Sequence, residues 1–311
     1  MEGVKTPLHL VSAADVDRPF LDRLFAEARA MEQRVQEHGG TDDLRGHVLA
    51  TLFYEPSTRT RFSFEVAMLR LGGTVVGAED AREHSSGSKG ETLEDTARIV
   101  GGYADGIVVR HYEEGAAARM AVVSPVPIIN AGDGPHEHPT QALLDLFTIE
   151  KELGRIDGIR IALVGDLANG RTVHSLCRMV ALYEDVRLYL VSPGVTRMRW
   201  DVLDYLRVHG VSYQETPDLA AVANEVDVLY QTRVQKERFA TAEDYQRARG
   251  SYTVDRALLP RLKPQAIIMH PLPRVDEITT DVDADPRAAY FRQARNGLFI
   301  RMALLKLLLG R

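Results

Sequence analysis

Apolar positions along this chain follow two periods, and the period changes at short polar breaks. Phe20, Leu21, Leu24, Phe25 and Ala28 share one side of a helix predicted over residues 15–38, which Gly39-Gly40 ends. Val48 to Phe53 is an apolar run of strand length, and residues 47–53 are predicted as a buried strand. Phe62, Val66 and Leu69 return to helical spacing until Gly72-Gly73. A short strand over Thr74 to Gly77 follows, then a polar stretch, Glu79 to Gly90, without periodicity, read as a mobile loop. Thr92 and Asp95 form a capping box that opens the next helix. Strand 106–110, a helix across 113–123 and strand 126–129 continue the alternation. Pro139 suits the first turn of a helix reaching about Leu153.

A second alternating run begins at Ile159 to Val164, continuously apolar as a parallel strand buried on both faces should be. Helix 172–183, strand 186–191, a helix near 196–208, strand 211–214, a helix near 218–224 and strand 226–231 follow. Residues 232–252 are polar, with a helix near 242–248. Strand 266–269 ends at His270-Pro271-Leu272-Pro273-Arg274, and Asp285-Pro286 open the last helix. The fold class is therefore α/β, two doubly wound domains, each with a central parallel β-sheet flanked by helices. The expected domains are 1–139 plus 286–311, and 140–285.

In such sheets ligands bind beyond the carboxyl ends of strands. Polar clusters stand at these ends: Ser57 to Arg61, Arg110-His111, His136 to His138, Gly165 to Arg171, Thr232 to Gln235 and His270 to Arg274. The first is the densest. Ser57, Thr58, Arg59, Thr60 and Arg61 interleave three hydroxyls with two guanidiniums at a helix start, where free N–H groups and a positive dipole end already favour anions. One hydroxyl there would be a helix cap. Three with two arginines make a cradle for phosphate or a similar dianion. Arg61 is set apart, because Glu65 lies four residues on and suits a surface pair.

The charge of −6 over 311 residues argues against a protein that coats nucleic acid, so the cradle is a local cationic site in an acidic chain. Hydrophobic content of 45% fits a soluble globular protein, and no stretch has the apolar length of a membrane span. No signal peptide is read at the N-terminus, which makes cytoplasmic the default location. Cys177 is the single cysteine, expected as a buried inert thiol. His111, His136 and His138 lack carboxylate partners at metal spacing, and no metal is expected. Gly165 to Thr172 resembles a dinucleotide loop without its G-x-G-x-x-G, and the Arg171 turn suits a carboxylate or phosphate better. Arg233 falls at a strand end, unlike the solvated run Lys236 to Arg238. Many cations and hydroxyls, with no evident nucleophile or base triad, point to two bound substrates that react with each other.

P-S-T-R-T-R, H-P-T-Q, V-G-D-L-x-x-G-R-T, T-R-V-Q-K-E-R and H-P-L-P-R occur in this order across nearly the whole chain. Together they resemble the transcarbamylases. The loop ending Lys89-Gly90-Glu91 and the H-P-L-P-R motif select the members that act on aspartate over those using ornithine, which place a cysteine in the last motif. The resemblance implies transfer of the carbamoyl group of carbamoyl phosphate to L-aspartate, a step of pyrimidine synthesis, without a cofactor. It assigns the phosphate to Ser57, Thr58, Arg59, Thr60 and Arg110, and the carbamoyl oxygen to Thr60, Arg110 and His138. Gln141 and the backbone at Leu272 and Pro273 would hold the carbamoyl amide. Arg171 and Arg233, assisted by Gln235, would grip the aspartate carboxylates. Lys89 and Ser85, the latter chosen over Ser86 and Ser88, would arrive from a neighbouring subunit of a homotrimer with shared sites. The domains 1–139 plus 286–311 and 140–285 would bind carbamoyl phosphate and aspartate respectively. The resemblance admits regulatory subunits as further partners.

Overall fold

The computed structural model describes residues 8–79, 90–234, 241–248 and 252–310. The strands are β1 (Val48–Phe53), β2 (Thr74–Glu79), β3 (Gly106–His111), β4 (Ile128–Asp133), β5 (Arg160–Val164), β6 (Arg187–Val191), β7 (Ser212–Thr216), β8 (Val228–Gln231) and β9 (Ile267–Met269). The helices are α1 (Arg18–His38), α2 (Thr58–Arg70), α3 (Leu93–Gly101), α4 (Ala116–Val123), α5 (Pro139–Leu153), α6 (Arg171–Val180), α7 (Trp200–Val208), α8 (Leu219–Val222), α9 (Ala242–Ala248) and α10 (Tyr290–Leu309). The chain forms two units, Met1–Leu143 with Asn296–Arg311, and Leu144–Arg295. No described helix is long and apolar enough to cross a membrane.

The first unit holds a four-stranded parallel sheet in the order β2-β1-β3-β4. Leu49, Ala50, Ile107, Val108, Val109, Ile128 and Ile129 are buried, so its central strands lose water on both faces. Asp17 caps α1 by accepting the Phe20 N–H at 2.8 Å, and Gly39, at φ 79°, ends it in the left-handed region. The helix predicted from residue 15 thus starts at Arg18, after a short 3-10 turn, Ala13–Asp15, that Ser12 caps. Thr92 accepts the Asp95 N–H at 3.1 Å and opens α3 where the sequence places a helix start.

The second unit holds a five-stranded parallel sheet, β7-β6-β5-β8-β9. Gly165, directly after β5, sits at φ 112°, a conformation that L side chains rarely adopt. A Cβ there would stand 2.7 Å from both the carbonyl oxygen and the hydroxyl of Thr232, the residue after β8. Thr232 is buried, accepts the Asp166 N–H at 3.0 Å and donates to the Val164 carbonyl at 2.9 Å. One hydroxyl therefore locks the loop after β5 to the loop after β8.

Two later helix starts shift because distant residues claim the backbone. The helix predicted near 196 splits into a 3-10 turn, Gly194–Thr196, and α7, because Thr196 is committed to the loop after β5. Its carbonyl accepts the Leu167 N–H at 3.0 Å and its hydroxyl donates to the Gly165 carbonyl at 3.2 Å. The last helix begins at Tyr290 and not at Asp285-Pro286. The segment before it runs beside β9, with Ile268 N–H donating to Arg287 O at 2.8 Å and Ala289 N–H to Ile268 O at 2.8 Å. Those backbone groups are used sideways, so the helix cannot claim them.

Replacing Gly165 with alanine adds a close contact to an unfavourable φ. We expect it to lower unfolding stability by about 2 kcal/mol or more, read as a lower urea midpoint; an unchanged midpoint would show that the turn relaxes freely.

Candidate active site

In the first unit three loops leave the carboxyl edge of one sheet. β3 lies between β1 and β4, with Phe53 opposite Arg110 and His111 opposite Asp133. Neighbouring strands are about 5 Å apart, so the loops after β1, β3 and β4 form one continuous rim. Ser57, Thr58, Arg59 and Thr60 stand on the first loop and its helix, Arg110 at the end of β3, and His138 and Gln141 at the start of α5.

Ser57 occupies the N-cap position of α2, yet its hydroxyl makes no capping bond. Among the described residues the hydroxyls of Thr58 and Thr60 have no hydrogen-bond partner either, and no carboxylate pairs with Arg59. The cradle's donors are thus not consumed by the fold. Arg61 is the opposite case: its Nε lies 2.7 Å from Glu65 Oε1, which also accepts from the buried Thr51 hydroxyl at 3.1 Å. Arg61 belongs to the helix-to-sheet packing, as its spacing from Glu65 suggested.

The remaining rim residues are held by their neighbours. The Tyr54 N–H donates to the Arg110 carbonyl at 2.8 Å, which ties the cradle loop to β3. Arg110 Nε lies 3.4 Å from Glu55 Oε2, and Nη1 donates to the Ala131 carbonyl at 3.3 Å. His138 is 4% exposed and caps α5 through its carbonyl, which accepts from Gln141 N at 3.0 Å; its Nδ1 is 3.4 Å from the Thr140 hydroxyl.

Two buried carboxylates shape the loop before His138. Asp133 Oδ1 accepts from the Asn130 amide at 3.1 Å and the Glu137 N–H at 3.2 Å, while Oδ2 accepts from Gly115 N at 2.9 Å. Glu137 accepts from the Ser12 hydroxyl at 3.0 Å and the Ala13 N–H at 2.6 Å. His136 Nδ1 stands 3.9 Å from Asp133, a charge contact too long for a hydrogen bond. Burial pushes the Asp133 carboxyl up, but His136, Asn130 and the Gly115 N–H outweigh it and hold it below 3.8. His111 packs against Tyr54 and Tyr112 at 4.7 and 4.2 Å and accepts the Glu113 N–H at 3.0 Å; burial lowers its pKa. His111 serves the loop's shape, and His136 stands between Asp133 and Glu114, whose Oε1 lies 3.7 Å from its Nε2. Among the described residues no group of three or more His, Cys, Asp or Glu is placed to hold one.

In the second unit β8 lies between β5 and β9. Arg171 opens α6 after β5, Arg233 follows β8, and Leu272 and Pro273 follow β9, again on one carboxyl rim. Asp166 accepts from Asn169 N at 3.0 Å and folds the turn that brings in Arg171, which is 9% exposed. Leu272 sits at φ 54°, and its peptide bond to Pro273 is cis. Burial pushes the Cys177 thiol up to about 12, consistent with an inert residue. Ser85, Lys89 and Gln235 lie outside the described residues. The sequence pattern placed Glu137, Asp166 and Thr232 within polar clusters at strand ends but assigned no role to them or to Asp133.

Residues 8–151 match the sequence model described as aspartate/ornithine carbamoyltransferase, carbamoyl-P binding domain, and residues 157–308 match its Asp/Orn binding domain. The chain belongs to the aspartate/ornithine carbamoyltransferase family. It is 59% identical over 301 residues to the chloroplastic aspartate carbamoyltransferase of Arabidopsis thaliana, covering 96% of this chain and 77% of that one. It is 51% identical to the aspartate carbamoyltransferase catalytic subunit of Thermococcus onnurineus, over 97% of this chain and 96% of the relative. Among solved structures, aspartate transcarbamoylase of Trypanosoma cruzi in complex with N-(phosphonacetyl)-L-aspartic acid superposes with a TM-score of 0.91 at 45% identity, covering 97% and 95% of the two chains. The catalytic subunit from M. jannaschii gives 0.89 at 50% identity, covering 96% and 97%. The carbamoyltransferase chain thus carries both of the family's domains, the carbamoyl-P binding one first.

The sign of the Asp133 effect follows from its lowered pKa. Its contribution is present above the unfolded value near 3.8 and is lost as pH falls through the folded value. Asp133→Asn should therefore show a flatter loss of stability than the parent between about pH 5 and pH 3, measured as urea midpoints across that range; parallel curves would remove Asp133 from the acid response.

Proposed function

We propose that this carbamoyltransferase transfers the carbamoyl group of carbamoyl phosphate to L-aspartate, giving N-carbamoyl-L-aspartate and phosphate. The observation that carries the assignment is the uncommitted donor set at the start of α2: Ser57, Thr58, Thr60 and Arg59, without partners among the described residues. Such donors at a helix N-terminus match a phosphate dianion. The relatives' names and the ligands of the solved Trypanosoma cruzi structures, which include carbamoyl phosphate with aspartate, support the same substrates.

In this assignment Ser57, Thr58, Arg59, Thr60 and Arg110 bind the phosphate. Thr60, Arg110 and His138 polarise the carbamoyl oxygen, and Gln141 with the backbone of Leu272 and Pro273 holds the amide. Arg171 and Arg233 bind the two carboxylates of aspartate, with Gln235 assisting. The amine attacks in its neutral form, and negative charge gathers on the bridging oxygen as phosphate leaves. Arg59 is placed to meet that charge. Glu55 keeps Arg110 paired until a stronger anion displaces it. No protein nucleophile is needed, because catalysis comes from alignment and charge stabilisation.

The catalytic unit is a homotrimer in which Lys89 and Ser85 enter a neighbouring site. An apolar stripe on α2 supports a covering partner: Phe62, Val66 and Leu69 are 57%, 38% and 58% exposed immediately beyond the cradle.

Incubation with carbamoyl phosphate and either L-aspartate or L-ornithine tests the assignment directly. Carbamoyl-aspartate should form; product with ornithine alone would overturn it. Arg59→Ala should lower kcat by about 100-fold or more and change the aspartate KM by less than about threefold. Steady-state kinetics showing only a raised aspartate KM would reject the role. Mixed Arg59→Ala and Lys89→Ala subunits should recover part of the activity that each alone lacks. Absence of recovery, in oligomers proven to have exchanged chains, would rule out shared sites.

A further inference from the structure

We infer that His270 is a positioning residue for the carbamoyl amide, holding the Leu272 backbone through a ring nitrogen that must stay unprotonated. This rests on the assignment above, in which the Leu272 and Pro273 backbone grips that amide. The Leu272 N–H lies 2.8 Å from His270 Nδ1. A backbone amide only donates, so Nδ1 is the acceptor and carries no proton. The ring proton then sits on Nε2, 2.8 Å from Glu277 Oε1, to which it donates.

Both ends of this contact return to the same loop. Glu277 Oε2 accepts from Val275 N at 3.1 Å and Asp276 N at 3.2 Å. The imidazole therefore bridges the two halves of the 270–277 loop from inside. Leu272 needs such a hold, because φ 54° is unfavourable for a residue with a Cβ. The histidine is itself fixed from below. Its N–H donates to Gln293 Oε1 at 2.9 Å, and the Gln293 amide donates to Asp145 Oδ1 at 2.7 Å. Asp145 Oδ2 accepts the Tyr230 hydroxyl at 2.7 Å. Asp145, Tyr230, His270 and Gln293 are all buried. A histidine that merely filled the core would not need its two ring nitrogens on one loop, nor its backbone on a buried polar chain rooted in α5, β8 and α10.

Two substitutions separate the ring's functions. In His270→Asn the amide oxygen takes the place of Nδ1 and keeps an acceptor for Leu272, while Glu277 is out of reach. In His270→Gln the amide reaches Glu277 as a donor, and the Leu272 N–H loses its acceptor. At saturating aspartate, His270→Gln should raise the KM for carbamoyl phosphate about tenfold, and His270→Asn by less than about threefold. The inhibition constant of inorganic phosphate, which is assigned to the α2 cradle and Arg110 and not to the 270–277 loop, should change in neither. Equal KM values in the two variants, or a larger rise in the asparagine variant, would overturn the proposal. Nuclear magnetic resonance of isotope-labelled histidine in the unmodified protein tests it without a variant's stability entering. One ring should keep a bare Nδ1 and a protonated Nε2 from about pH 6 to about pH 8, and a proton on Nδ1 would also overturn it. Failure of the unmodified protein to make carbamoyl-aspartate is a separate outcome, which rejects the activity itself and with it the amide that His270 is said to position.

Discussion

Every strand in both sheets runs parallel to its neighbours, and that constraint decides where the chemistry stands. Parallel strands need crossover helices, so each strand delivers its outgoing loop to the same edge. β1, β3 and β4 thereby bring Ser57 to Thr60, Arg110 and His138 to one rim, and β5, β8 and β9 bring Arg171, Arg233 and Leu272 to another. The spacing of these groups is the spacing of hydrogen-bonded strands, fixed before any ligand arrives. Buried apolar runs such as Ile161 to Val164 keep the sheets in place, and short polar turns at their ends are free to carry function.

The turns are not left to themselves. The loops after β4, β5, β8 and β9 are braced by polar groups whose bonds run to backbone: Asp133 and Glu137 before His138, Asp166 and Thr232 around Arg171 and Arg233, His270 and Glu277 around Leu272. Against these committed groups, the hydroxyls at the start of α2 stand out by their lack of commitment. Both sets are polar and lie at strand ends, so residue type alone does not tell them apart.

Much of this was legible in the sequence. Apolar runs and helical spacing located the alternating strands and helices, because a parallel strand buried on both faces cannot hide its hydrophobicity. Arg61 pairs with Glu65 as their four-residue separation suggested, and Cys177 is buried. What escaped was long-range. Backbone pairing of residues 287–289 with β9 delays α10, and Thr196 is drawn to the loop after β5; neither partner is near in sequence. The bracing roles were invisible for a similar reason. A buried Asp133 and a solvated aspartate look alike until the fold supplies Asn130, Gly115 and Glu137 around one of them. His270 was visible only as part of a motif, and its use of both ring nitrogens depends on a loop that closes back on Glu277.

Ser57 leaves the first turn of α2 without the side-chain bond that a serine at that position ordinarily gives. An unused cap forgoes about 1 kcal/mol of helix stability, a small deficit at the place proposed for the phosphate. A bound phosphate group would satisfy the same backbone donors from outside. On the proposed assignment, occupancy and folding would be linked by mass action: the oxyanion would act as a removable helix terminus, and thermal resistance would climb with its free concentration.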